Sequence, residues 1–146
     1  MVKIALVAAG LVAGTVAVHS VGTGLLMSRL VRHSDRLPTR PWPTIRLLTE
    51  VAWLLLIIHA IEIALWGLLY RWMGCLPDAE TAFYFSGVTY TTIGYGDLVL
   101  PKPWRMLGPI EGVTGILMCG LSAGLFFATV TRIYAPRLEA PPADRE

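Results

Sequence analysis

Thr89-Tyr90-Thr91-Thr92-Ile93-Gly94-Tyr95-Gly96-Asp97 lies between two long apolar runs and follows a segment too short to cross a bilayer. A lone Gly-x-Gly says little, because turns and bulges use it freely. Its setting carries the information. Upstream, the breaker cluster Gly74-Cys75-Leu76-Pro77 ends one apolar run, and Asp78-Ala79-Glu80-Thr81 opens a new helix. Asp78 suits the N-cap and Glu80 the first turn, where unpaired N–H groups and the positive helix end favour acids. That helix reaches only to about Thr91 before glycines intervene, ~20 Å at the usual helical rise. The hydrocarbon core it would have to cross is ~30 Å thick. Such a segment enters and turns back, which membranes tolerate only where protein buries the backbone or it lines a watery cavity.

Working outward, the flanking runs are long enough to span. One extends from about Thr44 to Tyr70, interrupted by the acids Glu50 and Glu62, and the other from about Met106 to Arg132. Trp42, Tyr70 and Trp72 are placed as interfacial anchors of the first of these. Farther upstream, Ile4 to Leu30 forms a third run with no charge between Lys3 and Arg29. It far exceeds the ~7–15 apolar residues of a signal peptide, so a retained helix is expected. Gly10, Gly14 and Ala17 make a small-residue stripe along it, suited to close helix packing. Between the first two spans, Pro38, Pro41 and Pro43 interrupt any continuous helix. A Pro-rich polar tail from Ala135 to Glu146 reads as disordered. The divisions are therefore 1–37, an N-terminal helix and its connection, 38–134, and the tail 135–146.

Composition agrees. The 146 residues are 55% hydrophobic and only 15% charged, against about 25% charged in a soluble domain. Mean hydropathy is +0.61. The net charge of +2 is too small to argue for nucleic acid as a partner. Its distribution is more informative. Arg29, Arg32, Arg36, Arg40 and Arg46 cluster around the first connection, and Arg132, Arg137 and Arg145 follow the last span. The positive-inside rule puts both in the cytoplasm and the amino terminus outside. Cys75 and Cys119 read as unpaired thiols, with a bridge between Cys75 of neighbouring subunits as the alternative, and no metal-ligand spacing is present.

The segment Thr89 to Asp97 resembles the tetrameric potassium-channel superfamily, whose signature T-x-x-T-[VI]-G-Y-G-D it matches throughout. The resemblance covers about Thr44 to Arg132: outer helix, pore helix, filter and inner helix. It implies that Thr92, Ile93, Gly94, Tyr95 and Gly96 bind dehydrated potassium through backbone carbonyls, with the Thr92 hydroxyl as innermost ligand. Gly94 and Gly96 supply positive-φ positions at no steric cost. Ile93 and Tyr95 pack behind the filter, and Asp97 closes its outer end. Tyr84 stands where relatives place an aromatic donor to that aspartate. Val88 departs from the glutamate that many relatives carry in the pore helix. One filter per chain implies a fourfold homotetramer. Gly115 matches the inner-helix hinge of the family, with Gly120 and Gly124 as rivals.

The remaining polar residues in apolar runs are His19, His59, Glu62 and Glu111. An ionisable group inside a membrane is a functional hypothesis by default. Glu62, Glu111 and His59 are read as candidate gating or pH-sensing groups, or as acids hydrogen-bonded behind the pore helix, and His19 as a packing residue. The first helix has no arginine row and is not a voltage sensor. The expectation is an all-α membrane protein with three transmembrane helices, a re-entrant pore helix and filter loop, assembled as a tetramer in the plasma (inner) membrane. The expected function is that of a potassium channel subunit and not an enzyme, with its own copies, the lipid bilayer and potassium ions as partners and no cofactor beyond the potassium ions in the filter. The rival readings are an accessory or heteromeric subunit and a weakly selective cation channel.

Overall fold

A computed structural model describes residues 2–32 and 40–139, all helix or loop with no strand among them. Most of the first connection (33–39) and the end of the tail (140–146) lie outside the described residues. Four α-helices follow in order: α1 (Val2–Arg32), α2 (Pro41–Trp72), α3 (Ala79–Tyr90) and α4 (Leu107–Glu139). A single 3-10 turn at Lys102–Trp104 precedes the last. Three of them, α1, α2 and α4, are long and apolar enough to cross a membrane. The chain is an all-helical, multi-pass membrane protein.

The local signals explain where each helix starts and stops. Asp78 caps α3, its Oδ1 accepting from the Thr81 N–H at 2.8 Å. The same contact holds the Asp78 carboxyl below its ordinary range. At the other side of that turn, α2 ends in a Schellman arrangement. Gly74 adopts φ +66, its N–H donates to the Arg71 carbonyl, and the Cys75 N–H donates to that of Tyr70. Glycine is the residue that tolerates this left-handed position.

Two helix ends differ from expectation. Pro41 and Pro43 lie inside the first turn of α2 instead of before it, because N–H groups in a first turn have no intrahelical acceptor to lose. At the far end, α4 continues through Pro136 to Glu139, so residues 135–139 of the expected disordered tail are helical. One proline removes one ladder bond, and the helix-forming Arg137, Leu138 and Glu139 beyond it continue the turn.

Between helices in lipid, close packing and hydrogen bonds replace the hydrophobic effect as the glue. The buried stripe of α2 runs through Val51, Leu55, Ile58, Glu62, Trp66 and Tyr70, three or four residues apart as one helix face requires. Tyr70, expected as an interfacial anchor, falls on this stripe and is fully buried. Trp42 and Trp72 are exposed. On α1 the buried face is Ala8, Leu11, Thr15, His19, Leu26 and Leu30. Of the Gly10/Gly14/Ala17 stripe, Gly14 packs against α2, where a Cβ would lie 3.3 Å from Leu65, whereas a Cβ on Gly10 would meet open space and Ala17 is exposed. The closer approach is at Gly22, where a Cβ would lie 2.7 Å from Ile58. Trp66 donates from Nε1 to Thr15 Oγ1 at 3.0 Å, joining α1 to α2 at a fully buried position.

Candidate functional site

The short helix α3 is held between α2 and α4. Its contact with α2 is the most extensive between any two helices of the chain. Gly67 opens that seam, since a Cβ there would lie 2.8 Å from Phe83. Phe85 meets Tyr70 edge to face at a centroid separation of 5.4 Å. On the α4 side, Gly115 lies against the Tyr90 carbonyl, and a Cβ would overlap it. Close approach is thus a sufficient reason for glycine at 115, whereas Gly120 and Gly124 face open space.

The loop after α3 keeps contact with the helix end. Thr92 N–H donates to the Thr89 carbonyl at 3.0 Å, and Gly94 N–H reaches back to that of Val88 at 3.2 Å. Three alternate residues then take left-handed backbone: Thr92 at φ +61, Gly94 at +55 and Gly96 at +78. The two glycines do so freely. Thr92 does not, since an L-residue there costs roughly 1–2 kcal/mol, and such strain persists only where the surroundings over-determine it. The glycines were legible in the sequence; the threonine was not. Residues 91–97 are all exposed within the single chain, including the large side chains of Ile93 and Tyr95.

Asp97 is tied to α3. Tyr84 donates its hydroxyl to Asp97 Oδ2 at 2.8 Å, an acceptor that holds the phenol proton and raises the Tyr84 pKa. Asp97 Oδ1 also accepts from the Leu98 N–H at 3.1 Å.

Behind α3 lie two buried carboxyl groups. Glu111 on α4 accepts from Tyr70 of α2 at 2.7 Å and from Ser86 of α3 at 2.6 Å. Ser86 Oγ also lies 2.8 Å from the Ile63 carbonyl. Three helices therefore meet at one side chain. Glu62 on α2 accepts from His19 Nδ1 on Oε1 and from His59 Nδ1 on Oε2, each at 3.0 Å. The Tyr90 hydroxyl donates to the same Oε2 and lies 3.1 Å from His59 Nδ1. Glu62 and Glu111 are both fully buried.

His19 is thus a polar partner of Glu62 and not only a packing residue. Sequence reasoning missed it, together with Tyr70, Ser86 and Tyr90. A buried carboxyl group must find donors, which was a signal that partners exist. It did not say which, because His19 and Glu62 are 43 positions apart.

Residues 58–132 match the family described as ion channel, just over half of the chain. The match takes in the second half of α2, α3, the loop and α4 as far as Arg132, and leaves α1 outside. No curated protein and no solved structure matches the chain.

Proposed function

We propose that this chain, which belongs to the ion channel family, is the pore subunit of a potassium-selective channel. One observation carries the reading: the alternation of left-handed backbone at Thr92, Gly94 and Gly96. Backbone that changes hand at every second residue turns successive carbonyls toward one side. A row of such oxygens can replace the hydration shell of a potassium ion, which is how potassium filters work. One strand cannot surround an ion, so four copies around an axis complete the cage. In that assembly Ile93 and Tyr95, exposed in a single chain, pack behind the filter and hold its diameter.

The supports around the loop fit this role. The carbonyl end of α3 carries partial negative charge, worth about 0.3–1 kcal/mol per helix at an exposed site, and four such ends favour a cation in a central cavity. Asp97 closes the outer end and four copies concentrate cations there, with Tyr84 as its restraint. Gly115 is the candidate hinge of the inner helix, and Glu62, His59 and Glu111 are the groups through which gating would sense its surroundings. The basic first connection and C-terminal segment face the cytoplasm by the positive-inside rule, in the plasma membrane.

The test is ion flux through purified protein in liposomes, with oligomeric state measured on the same sample. A tetramer passing potassium and rubidium far better than sodium is the expected result. Equal sodium and potassium flux through a folded tetramer would overturn selectivity, and an inert tetramer would favour an accessory subunit.

A further inference from the structure

The Glu62 cluster has more donor atoms than a buried carboxylate needs. His19 and His59, from different helices, both turn Nδ1 toward the same group, with ring centroids 5.6 Å apart. The ligating atoms of His19, His59 and Glu62 all lie within 4.8 Å of one another. Zinc bonds of ~2.0–2.1 Å in a tetrahedral site place neighbouring donors about 3.3 Å apart. The observed separations, 3.0 Å from His19 Nδ1 to Oε1 and 3.0 Å from His59 Nδ1 to Oε2, are each close to that spacing, so the carboxylate meets the two nitrogens through different oxygens. Tyr90 Oη, 3.1 Å from His59 Nδ1, is a fourth donor atom beside them.

We propose that His19, His59 and Glu62 form a binding site for a zinc-type divalent transition metal, with Tyr90 as fourth ligand, joining α1, α2 and the end of α3. Imidazole and carboxylate together suit zinc and its neighbours, whereas calcium and magnesium prefer all-oxygen cages. The proton balance closes. When Nδ1 binds metal, each histidine stays neutral by carrying its hydrogen on Nε2. Tyr90 gives up its phenol proton to solvent and binds as phenolate. Metal, carboxylate and phenolate then sum to zero charge, which suits a site built around the fully buried Glu62. Among the described residues His19 Nε2 has no hydrogen-bond partner, so no contact there has to break for the change of tautomer. The route in is short, since His19 also lines an open cleft of ≈ 370 Å³ with Thr23, Leu121 and Leu125 between α1 and α4.

The consequence is mechanical. Tyr90 is the last residue of α3 and its carbonyl abuts Gly115 of α4. An ion held there would fasten the N-terminal helix to the element that positions the loop. The site does not rest on potassium selectivity, and its test involves no flux.

The experiment is titration of the purified, chelator-treated full chain with cobalt(II) alone, followed by visible absorption. The expected result is about one cobalt per chain, with the intense d–d bands of tetrahedral coordination, displaced by stoichiometric zinc. Absence of thiolate charge-transfer absorption separates this site from Cys75 and Cys119. His19→Gln and His59→Gln should each lose the bands while keeping the oligomeric size of the parent. Because those variants alter a packed face, a second measurement uses the unaltered protein. Zinc should raise its thermal dissociation temperature and a chelator should reverse the rise. No tetrahedral bands in the parent, bands of equal intensity in both variants, or no thermal shift with zinc would each overturn the site and leave the cluster as hydrogen bonding to a carboxylate.

Discussion

Gly115 on α4 lies so close to the carbonyl of Tyr90 that a Cβ would overlap the oxygen and stand 2.9 Å from the carbonyl carbon. The obstruction is backbone, at the point where the short helix ends and the loop begins. A side chain there has no flexible neighbour to push aside.

Gly115→Ala should therefore lower the thermal dissociation temperature of the assembled protein, by the equivalent of about 1–3 kcal/mol for overpacking. Gly120→Ala, at a position facing open space, serves as the control and should melt like the parent. Equal melting of the two variants would mean that α4 can shift away from α3 at little cost.

Tyr84→Phe should speed the decline of current during sustained opening. The substitution removes only the hydroxyl that donates to Asp97 at 2.8 Å. Val88, at the position where many similar channels carry a glutamate, offers no second donor. Single-channel recordings are the measurement, and unchanged open and closed times would deny Tyr84 a restraining role.

Glu111→Leu should destabilise by leaving the buried hydroxyl of Tyr70 without its acceptor, a loss of roughly 1–3 kcal/mol. The instructive measurement is the pair. Because Tyr70 and Glu111 share one hydrogen bond, Tyr70→Phe added to Glu111→Leu should cost less than the two single changes summed. Strict additivity in thermal dissociation would show that the bond contributes nothing measurable.

Removing residues before Pro38 should leave ion preference intact and lower stability. The loop and its supports Tyr84, Tyr70 and Ser86 all lie beyond that point. What is lost is the cover of α1: Thr15 as acceptor for Trp66, His19 as donor to Glu62, and the seam of Gly22 on Ile58. Interhelical hydrogen bonds in membranes average about 0.6 kcal/mol, so two of them plus packing should give a clear fall in melting temperature. A shortened tetramer that passes sodium as readily as potassium would make α1 part of the conduction machinery.

The sequence by itself determined the three long apolar helices, the short helix opened by Asp78 and the glycine positions that follow it. Those features rest on local physics: run length, a cap acting three residues away, and the absence of a Cβ. It also marked Glu62 and Glu111 as anomalies, since an acid in an apolar run is costly wherever it sits. Tertiary structure decided which face of each helix turns inward, and with it the burial of Tyr70, the seam through Gly14 and Gly22 but not Gly10, and the partners of both acids. It decided too that Thr92 takes left-handed backbone, against its own preference. Helix rotation and pairing depend on contacts between residues tens of positions apart. A three- or four-residue period on one helix restricts the candidate faces, but only the neighbouring helix selects the one that is buried.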